Sequence, residues 1–451
     1  MQLISRASMG IRRRVQSFFQ CDTHPINLAI FRIGVSMSLL VLLSHVDVIA
    51  YLRVPADWRV APPGYASFFH LIPWDESLAV WIHRCAYLFA IMLGVGWFTR
   101  TSCIMAMLLS LYVLGVPNFF GRIGHGSHHI IWFLALLAAS PSGAVLSVDN
   151  WMRRRRGERR VFEPSQIYAL PIRFAWLLIG VIYLFPGLAK ASSGPAWFLS
   201  DNMRLNLYLK WLSHDFLPVF RVDLVPGLCK FIGATTIAFE VLFIVLIFFP
   251  HIRPWAVLCG FMFHLTIRYF MHIGFLELLI CYVVFVDWHA LYGRLRGKRA
   301  GVEGGVAYRS DGFKRAVVPV GAFLLLMNLL CGVLIVDSWP FTIYPRFSRI
   351  KVESKSVYSE VLLYDDTGNV RVIEPLVRAK VWNRLRSRHP ELREHLMLSM
   401  PEFLRNRGVA LPPGYRLELH ALTRSTLPED HDRDPLERSL LLAVTEDGIA
   451  R

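Results

Sequence analysis

Residues 316–336 read AVVPVGAFLLLMNLLCGVLIV, 21 positions without a single charge. A soluble amphipathic helix carries polar residues along its outward face every three or four positions, and here only Asn328 interrupts the run. At 1.5 Å per residue the stretch reaches about 30 Å, the thickness of a bilayer hydrocarbon core. It therefore predicts a membrane span. Eight further apolar runs are read the same way, at about 27–50, 78–98, 101–118, 127–146, 168–190, 225–249, 253–270 and 272–290. The fourth is the least regular, because Ser140, Pro141, Ser142 and Gly143 break its end.

Composition supports that reading. Of 451 residues, 54% are hydrophobic and only 18% charged, against about 25% charged in an average soluble domain. Three soluble domains, the expectation from length alone, are excluded. The formal net charge of +16 is not taken as a sign of nucleic acid, because the basic residues sit in short clusters between apolar runs. The densest cluster is Arg153, Arg154, Arg155, Arg156, Arg159 and Arg160. Such loops are retained on the cytoplasmic side, and the partner they imply is membrane lipid. The seven cysteines include no CxxC pair and nearly all lie in apolar runs, so neither a disulfide framework nor a zinc ribbon is expected. The basic start (Arg6, Arg12, Arg13, Arg14) leads into an apolar run long enough to remain as a span, and no cleavable signal is expected.

The expected fold is an all-α polytopic membrane bundle of about nine transmembrane helices with a small C-terminal α+β extramembrane module. Residues 1–25 form a cytoplasmic segment, 26–340 the transmembrane domain and 341–451 the module. With a cytoplasmic N-terminus, Arg100, the 153–160 loop and the 294–299 cluster all fall on the cytoplasmic side of what is expected to be a bacterial inner membrane, and an odd number of spans leaves the module extracytoplasmic. In the module, Val357–Tyr364 and Val370–Ile373 bracket the turn Asp365-Asp366-Thr367-Gly368-Asn369. Helical stretches follow at about 376–388 and 391–407, then strand-like Arg416–Leu422 and Ser439–Val444. Segment 200–217 has helical spacing of Met203, Leu207 and Trp211, fitting either an interfacial helix or one that caps the bundle.

Ionisable side chains in a span cost about 2.5–3.5 kcal/mol each on insertion scales, so each calls for an explanation. The expected topology brings many of them to one depth: His125, His128 and His129 at one end of span four, Lys190 at the end of span five, and His264, Arg268, His272 and Glu277 in spans seven and eight. Glu240 lies deeper. That convergence suggests a pocket near the extracytoplasmic face. Lys190 suits a general base if its surroundings are poorly hydrated; the alternative is a lysine snorkelling to headgroups. His125 and His129 have i,i+4 spacing, but no HExxH motif or carboxylate pair accompanies them and no metal is expected. Glu240 and Glu277 are also explained by pairing with Arg268 or Lys230 simply to make the bundle insertable.

Several stretches resemble the membrane part of vitamin K-dependent γ-carboxylase and its bacterial relatives, the HTTM (horizontally transferred transmembrane) domain proteins. They are Pro25–Arg32, Trp97–Cys103, the run from His128 to Asp149 with Asn150-Trp151, and Gly187-Leu188-Ala189-Lys190 followed by Trp197; a weaker match is Phe263-His264 with Ile273-Gly274-Phe275. The likeness covers about residues 22–340. It implies a lysine that deprotonates reduced vitamin K, after which oxygen yields a strong base, a glutamate loses its γ-proton and CO2 adds. Carried over, Lys190 is the base and His128 the histidine that supports it. His129, Trp197, His264, Arg268 and Glu277 are then expected to hold the reduced quinone, vitamin K hydroquinone or menaquinol. The departures are Ala189 in place of a paired lysine, no aspartate between Lys190 and Trp197, Leu265-Thr266-Ile267-Arg268 after His264, and a tail too short for the carboxylase's substrate-binding sandwich. Two functions are therefore carried forward: a carbon–carbon lyase acting on an exported peptide or protein, and a non-catalytic membrane protein in maturation, export or docking of a secreted peptide.

Overall fold

Helix α1 (Pro25–His45) begins where its sequence says it should. Proline occupies the first helical position, where a missing N–H costs nothing, and the preceding His24 Nδ1 accepts from the Ile26 amide. The chain continues through α2 (Glu76–Val95), α3 (Thr99–Val113), α4 (His128–Ala138), α5 (Gln166–Ala191), α6 (Asn202–His214), α7 (Pro226–Leu246), α8 (Arg253–Met271), α9 (Leu276–Cys281) and α10 (Asp311–Leu334). This computed structural model describes residues 13–121, 123–158, 160–296, 306–307, 311–342, 348–373, 382, 385 and 390–450.

Among the described residues six helices, not nine, are long and apolar enough to cross a membrane, or seven if the bent pair Leu276–Phe285 and Trp288–Leu295 counts as one span. The three shortfalls have separate causes. Helix α4 has 11 residues, about 16 Å at helical rise, before the chain turns through Ser140–Gly143. Helix α8 has 19 residues but carries Arg253, His264 and Arg268 and is not apolar enough. The eighth predicted span is broken, with a 71° bend between its halves. All three still run through the bundle. Along α1, the Ser38 hydroxyl donates to the Glu277 carbonyl and the Asn27 amide donates to Asp287 Oδ1 at 3.1 Å, so the segment from α9 onward lies antiparallel to α1.

One end of the bundle is fastened by Arg32, a fully buried guanidinium in α1. Its Nη1 donates to the Ser142 carbonyl at 2.8 Å and its Nη2 to those of Gly94 (3.3 Å) and Leu146 (2.5 Å). It thereby ties α1 to the end of α2 and to the irregular turn after α4. Beside it, Asp149 accepts from the Phe98 and Thr99 amides, each at 2.8 Å, and from the Thr99 hydroxyl at 2.7 Å. A carboxylate there satisfies free donors at the start of α3.

The tail forms a five-stranded antiparallel sheet of β1 (Lys355–Tyr364), β2 (Val370–Ile373), β3 (Arg416–Ser425), β4 (Glu437–Thr445) and β5 (Gly448–Ala450), in the order β2-β1-β3-β4-β5. Helices α11 (Pro390–Leu398) and α12 (Met400–Asn406) replace the second expected helix; most of the first, 376–388, lies outside the described residues. Val361, Leu363, Leu417, Leu419 and Phe403 share one core with Val48, Tyr51, Trp58 and Phe120 of the membrane domain. Trp58 Nε1 donates to the Ser399 hydroxyl at 2.7 Å, and Arg407 Nη2 to the Ala50 carbonyl at 2.6 Å. The module is thus docked where α1 and α3 end, opposite the Arg32 fastening.

Two predictions follow from these contacts. Arg32→Met keeps the stem but leaves three carbonyls without their donor; at about 1–3 kcal/mol for each group left unsatisfied, thermal unfolding in detergent should show a loss of at least about 3 kcal/mol. In the β1–β2 turn, hydrogen bonds from Thr367 and Asn369 lower the Asp365 carboxyl from 3.8 to about 2. A depressed carboxyl contributes stability that is full above its unfolded value and fades as pH falls through the folded one. Amide exchange at Asn369 should therefore accelerate as pH drops from about 4 toward 2, corrected for intrinsic rates, and Asp365→Asn should abolish that acid limb.

Candidate functional site

Helix α5 carries Pro186 in its interior and Gly187 after it. The glycine is required by contact: a Cβ there would come within 2.8 Å of Glu240 Cβ and 3.0 Å of the Val241 nitrogen on α7. Its absence lets the two backbones approach closely. One turn further on, Lys190 points to the same neighbour. Its Nζ lies 2.6 Å from both Glu240 Oε1 and Oε2, and the side chains are 6% and 7% exposed. Glu240 thus pairs with Lys190, correcting the expected pairing with Arg268 or Lys230. The same contact rules out a snorkelling lysine.

The pair lines a cavity of about 720 Å³ at the end of the bundle that carries the tail module. Trp197, in the short helix Ala196–Leu199, is buried and places its ring 5.8 Å from Lys190 Nζ. Asn202 Nδ2 donates to the Trp197 carbonyl, so the capping helix α6 holds this wall. Helix α6 packs Leu207 and Trp211 inward, and Trp211 Nε1 donates to the Phe270 carbonyl of α8 at 2.8 Å. This packing fits a helix that caps the bundle.

His264, Arg268 and Glu277 also line the cavity. His264 is buried, with Tyr183 Oη 2.5 Å from Nε2 and Nδ1 left without a partner among the described residues. Arg268 is exposed on α8, and Glu277 is half-buried at the head of α9. His128 and His129 do not line it. The His128 ring is enclosed, 4.7 Å from Trp339 and 5.9 Å from His125. His129 packs on Phe133 at 5.7 Å and lies close enough to His264 to interact with it electrostatically. The histidine of this trio that does reach the cavity is His125, within 3.1 Å of the Thr342 hydroxyl and 3.6 Å of Asp337. Among the described residues no three His, Cys, Asp or Glu side chains converge as a metal would require. Tyr183 and Tyr282, both buried and hydrogen-bonded to each other, were not anticipated; a tyrosine in an apolar run looks like any other aromatic.

The helical bundle, its ionisable cavity and the docked sheet define an integral membrane protein with an extramembrane module. The chain belongs to the HTTM domain family, whose model matches residues 20–288. No curated protein and no solved structure matches it.

The Lys190–Glu240 contact makes a quantitative prediction. Removing one partner of a buried pair strands the other charge at about 3–5 kcal/mol, whereas replacing both with apolar groups is often neutral. Lys190→Met and Glu240→Leu should each lower the unfolding midpoint in detergent. The double variant should recover most of the loss.

Proposed function

We propose that the protein is a membrane enzyme of the γ-carboxylase-like class, with Lys190 as general base and a reduced quinone in the cavity. The observation that carries this reading is the buried amine–carboxylate pair facing a 720 Å³ cavity beside Trp197 and His264. The residues fit such a molecule: the wall is largely apolar and aromatic, and it includes His264, whose Nδ1 has no partner among the described residues. A reduced quinone, vitamin K hydroquinone or menaquinol, would supply with oxygen the strong base that removal of a carbon-bound proton demands.

What the chain's own residues do can be stated atom by atom. Lys190 can accept a proton only as a free amine, and Glu240 provides the place for the proton it must shed, 2.6 Å away. With the proton on Glu240, the Nζ lone pair is free to take one from a ligand hydroxyl. The step then balances with Lys190 as the ammonium, Glu240 as the neutral acid and the ligand hydroxyl as an oxyanion that the ammonium holds. Trp197 and the apolar wall exclude water, which strengthens each of these contacts. His128 is enclosed behind the wall and takes no part in the transfer. An exported peptide or protein substrate would reach the cavity from the extracytoplasmic side, where the tail module stands.

A second reading is a non-catalytic membrane protein serving maturation, export or docking of a secreted peptide. It is favoured by the mutual satisfaction of Lys190 and Glu240, which leaves neither charge exposed. The two readings separate in one assay. Purified parent and Lys190→Ala proteins are given vitamin K hydroquinone or menaquinol, and oxygen-dependent epoxide formation is followed. Loss of a general base costs about 10²–10⁴-fold, so the variant should fall by at least about a hundredfold. No turnover by a folded parent with either quinol supports the non-catalytic reading.

A further inference from the structure

The hydroxyl of Tyr183 lies between two buried groups, Tyr282 Oη on one side and His264 Nε2 on the other. Tyr183 and His264 line the cavity, whereas Tyr282 sits behind them. Room for the Tyr282 hydroxyl is made by Gly260 on α8, where a Cβ would come within 2.6 Å of it. These three side chains come from α5, α8 and the turn after α9, so their meeting is a property of the tertiary fold.

Counting hydrogens gives the row a direction. A neutral imidazole carries one N–H and one bare nitrogen, and each tyrosine has one O–H to donate. In one arrangement Tyr282 donates to Tyr183 and Tyr183 donates to Nε2; the only group left over is the His264 Nδ1–H. In the reverse arrangement Nε2–H donates to Tyr183 and Tyr183 to Tyr282. The Tyr282 hydrogen then has no acceptor, and Nδ1 has no donor. Each unmet buried group costs about 1–3 kcal/mol, so the first arrangement, with one such group instead of two, is favoured. A charged imidazole is excluded from this comparison because neither ring nitrogen meets a carboxylate: Nε2 faces Tyr183, and Nδ1 has no partner among the described residues.

We infer that Tyr282 and Tyr183 form a one-way hydrogen-bond chain that fixes His264 as the Nδ1–H tautomer and presents that N–H to an acceptor oxygen of the molecule bound in the cavity. The ligand class this selects is one bearing a carbonyl-type oxygen. Tyr183 and Tyr282 are then positioning residues. The tautomer stands on geometry alone; assigning the acceptor to a quinone carbonyl rests on the proposed function.

The test is 15N spectroscopy of the full chain, labelled at histidine and held in lipid nanodiscs, with His264→Asn used to assign the signal. The parent should show a protonated Nδ1 and a bare Nε2 at His264. Tyr183→Phe removes the donor to Nε2, and the single-tautomer signature should be lost. Gly260→Ala, which displaces the Tyr282 hydroxyl without touching the cavity, should weaken it in the same direction and covers the case in which Tyr183→Phe does not fold. A proton on Nε2 in the parent, or a tautomer that ignores both substitutions, overturns the inference. Menaquinone-4 is then added to the parent. A shift of the Nδ1 signal supports both the chain and the quinone; the expected tautomer with no shift upholds the chain and overturns the quinone.

Discussion

An amine and a carboxylate removed from water are tolerable only in each other's company, and that requirement organises the end of the bundle where Lys190 meets Glu240. The two residues are 50 positions apart on α5 and α7. Nothing but a close helix approach can join them, and Gly187 permits it by having no side chain where α7 passes. The cavity lies against this junction, with Trp197 in its wall and Tyr183 and His264 in its lining. Ion pair, glycine contact and cavity are therefore one arrangement, and altering the spacing of α5 and α7 changes all three.

The stretches that carry the family likeness divide between two tasks at opposite ends of the molecule. Pro25–Arg32, Trp97–Cys103 and the segment leading to Asp149 meet in the Arg32 and Asp149 contacts, where they satisfy carbonyls and amides at helix ends and turns. They hold helices together and touch no part of the cavity. Gly187–Lys190 with Trp197, and the weaker match of Phe263-His264 with Ile273-Gly274-Phe275, are the stretches that reach it. A match to the first group reports a shared scaffold; only the second bears on chemistry.

The sequence was most legible where composition alone decides. The long apolar runs became helices, and the Asp365–Asn369 turn closed the hairpin as its residues demand. The count of nine spans failed at α4, α8 and α9, which are short, polar or bent. Two of these contribute His264, Arg268 and Glu277 to the cavity, so the feature that makes them irregular as membrane spans is the one that makes them useful. Depth could be estimated from topology, and it brought Lys190, His264, Arg268 and Glu277 to one cavity. Rotation could not be: at about 100° per residue, adjacent His128 and His129 point different ways, and both turned out to lie behind the wall. Partners at long separation, such as Lys190 with Glu240 or Tyr183 with Tyr282, leave no periodic trace at all.

The docking of the tail on the first loop bears on how the chain is made. Val48, Tyr51 and Trp58 leave the ribosome early, yet their partners Met400, Phe403 and Leu417 follow some 340–370 residues later. At synthesis rates of about 5–20 residues per second, that surface of the nascent protein waits on the order of tens of seconds for its cover. During that interval a sticky patch lies at the rim of a half-built bundle, and a ribosome that stalls before the last strands releases a polypeptide whose membrane helices are complete but whose rim is bare. Quality control has there a simple cue for telling finished molecules from unfinished ones.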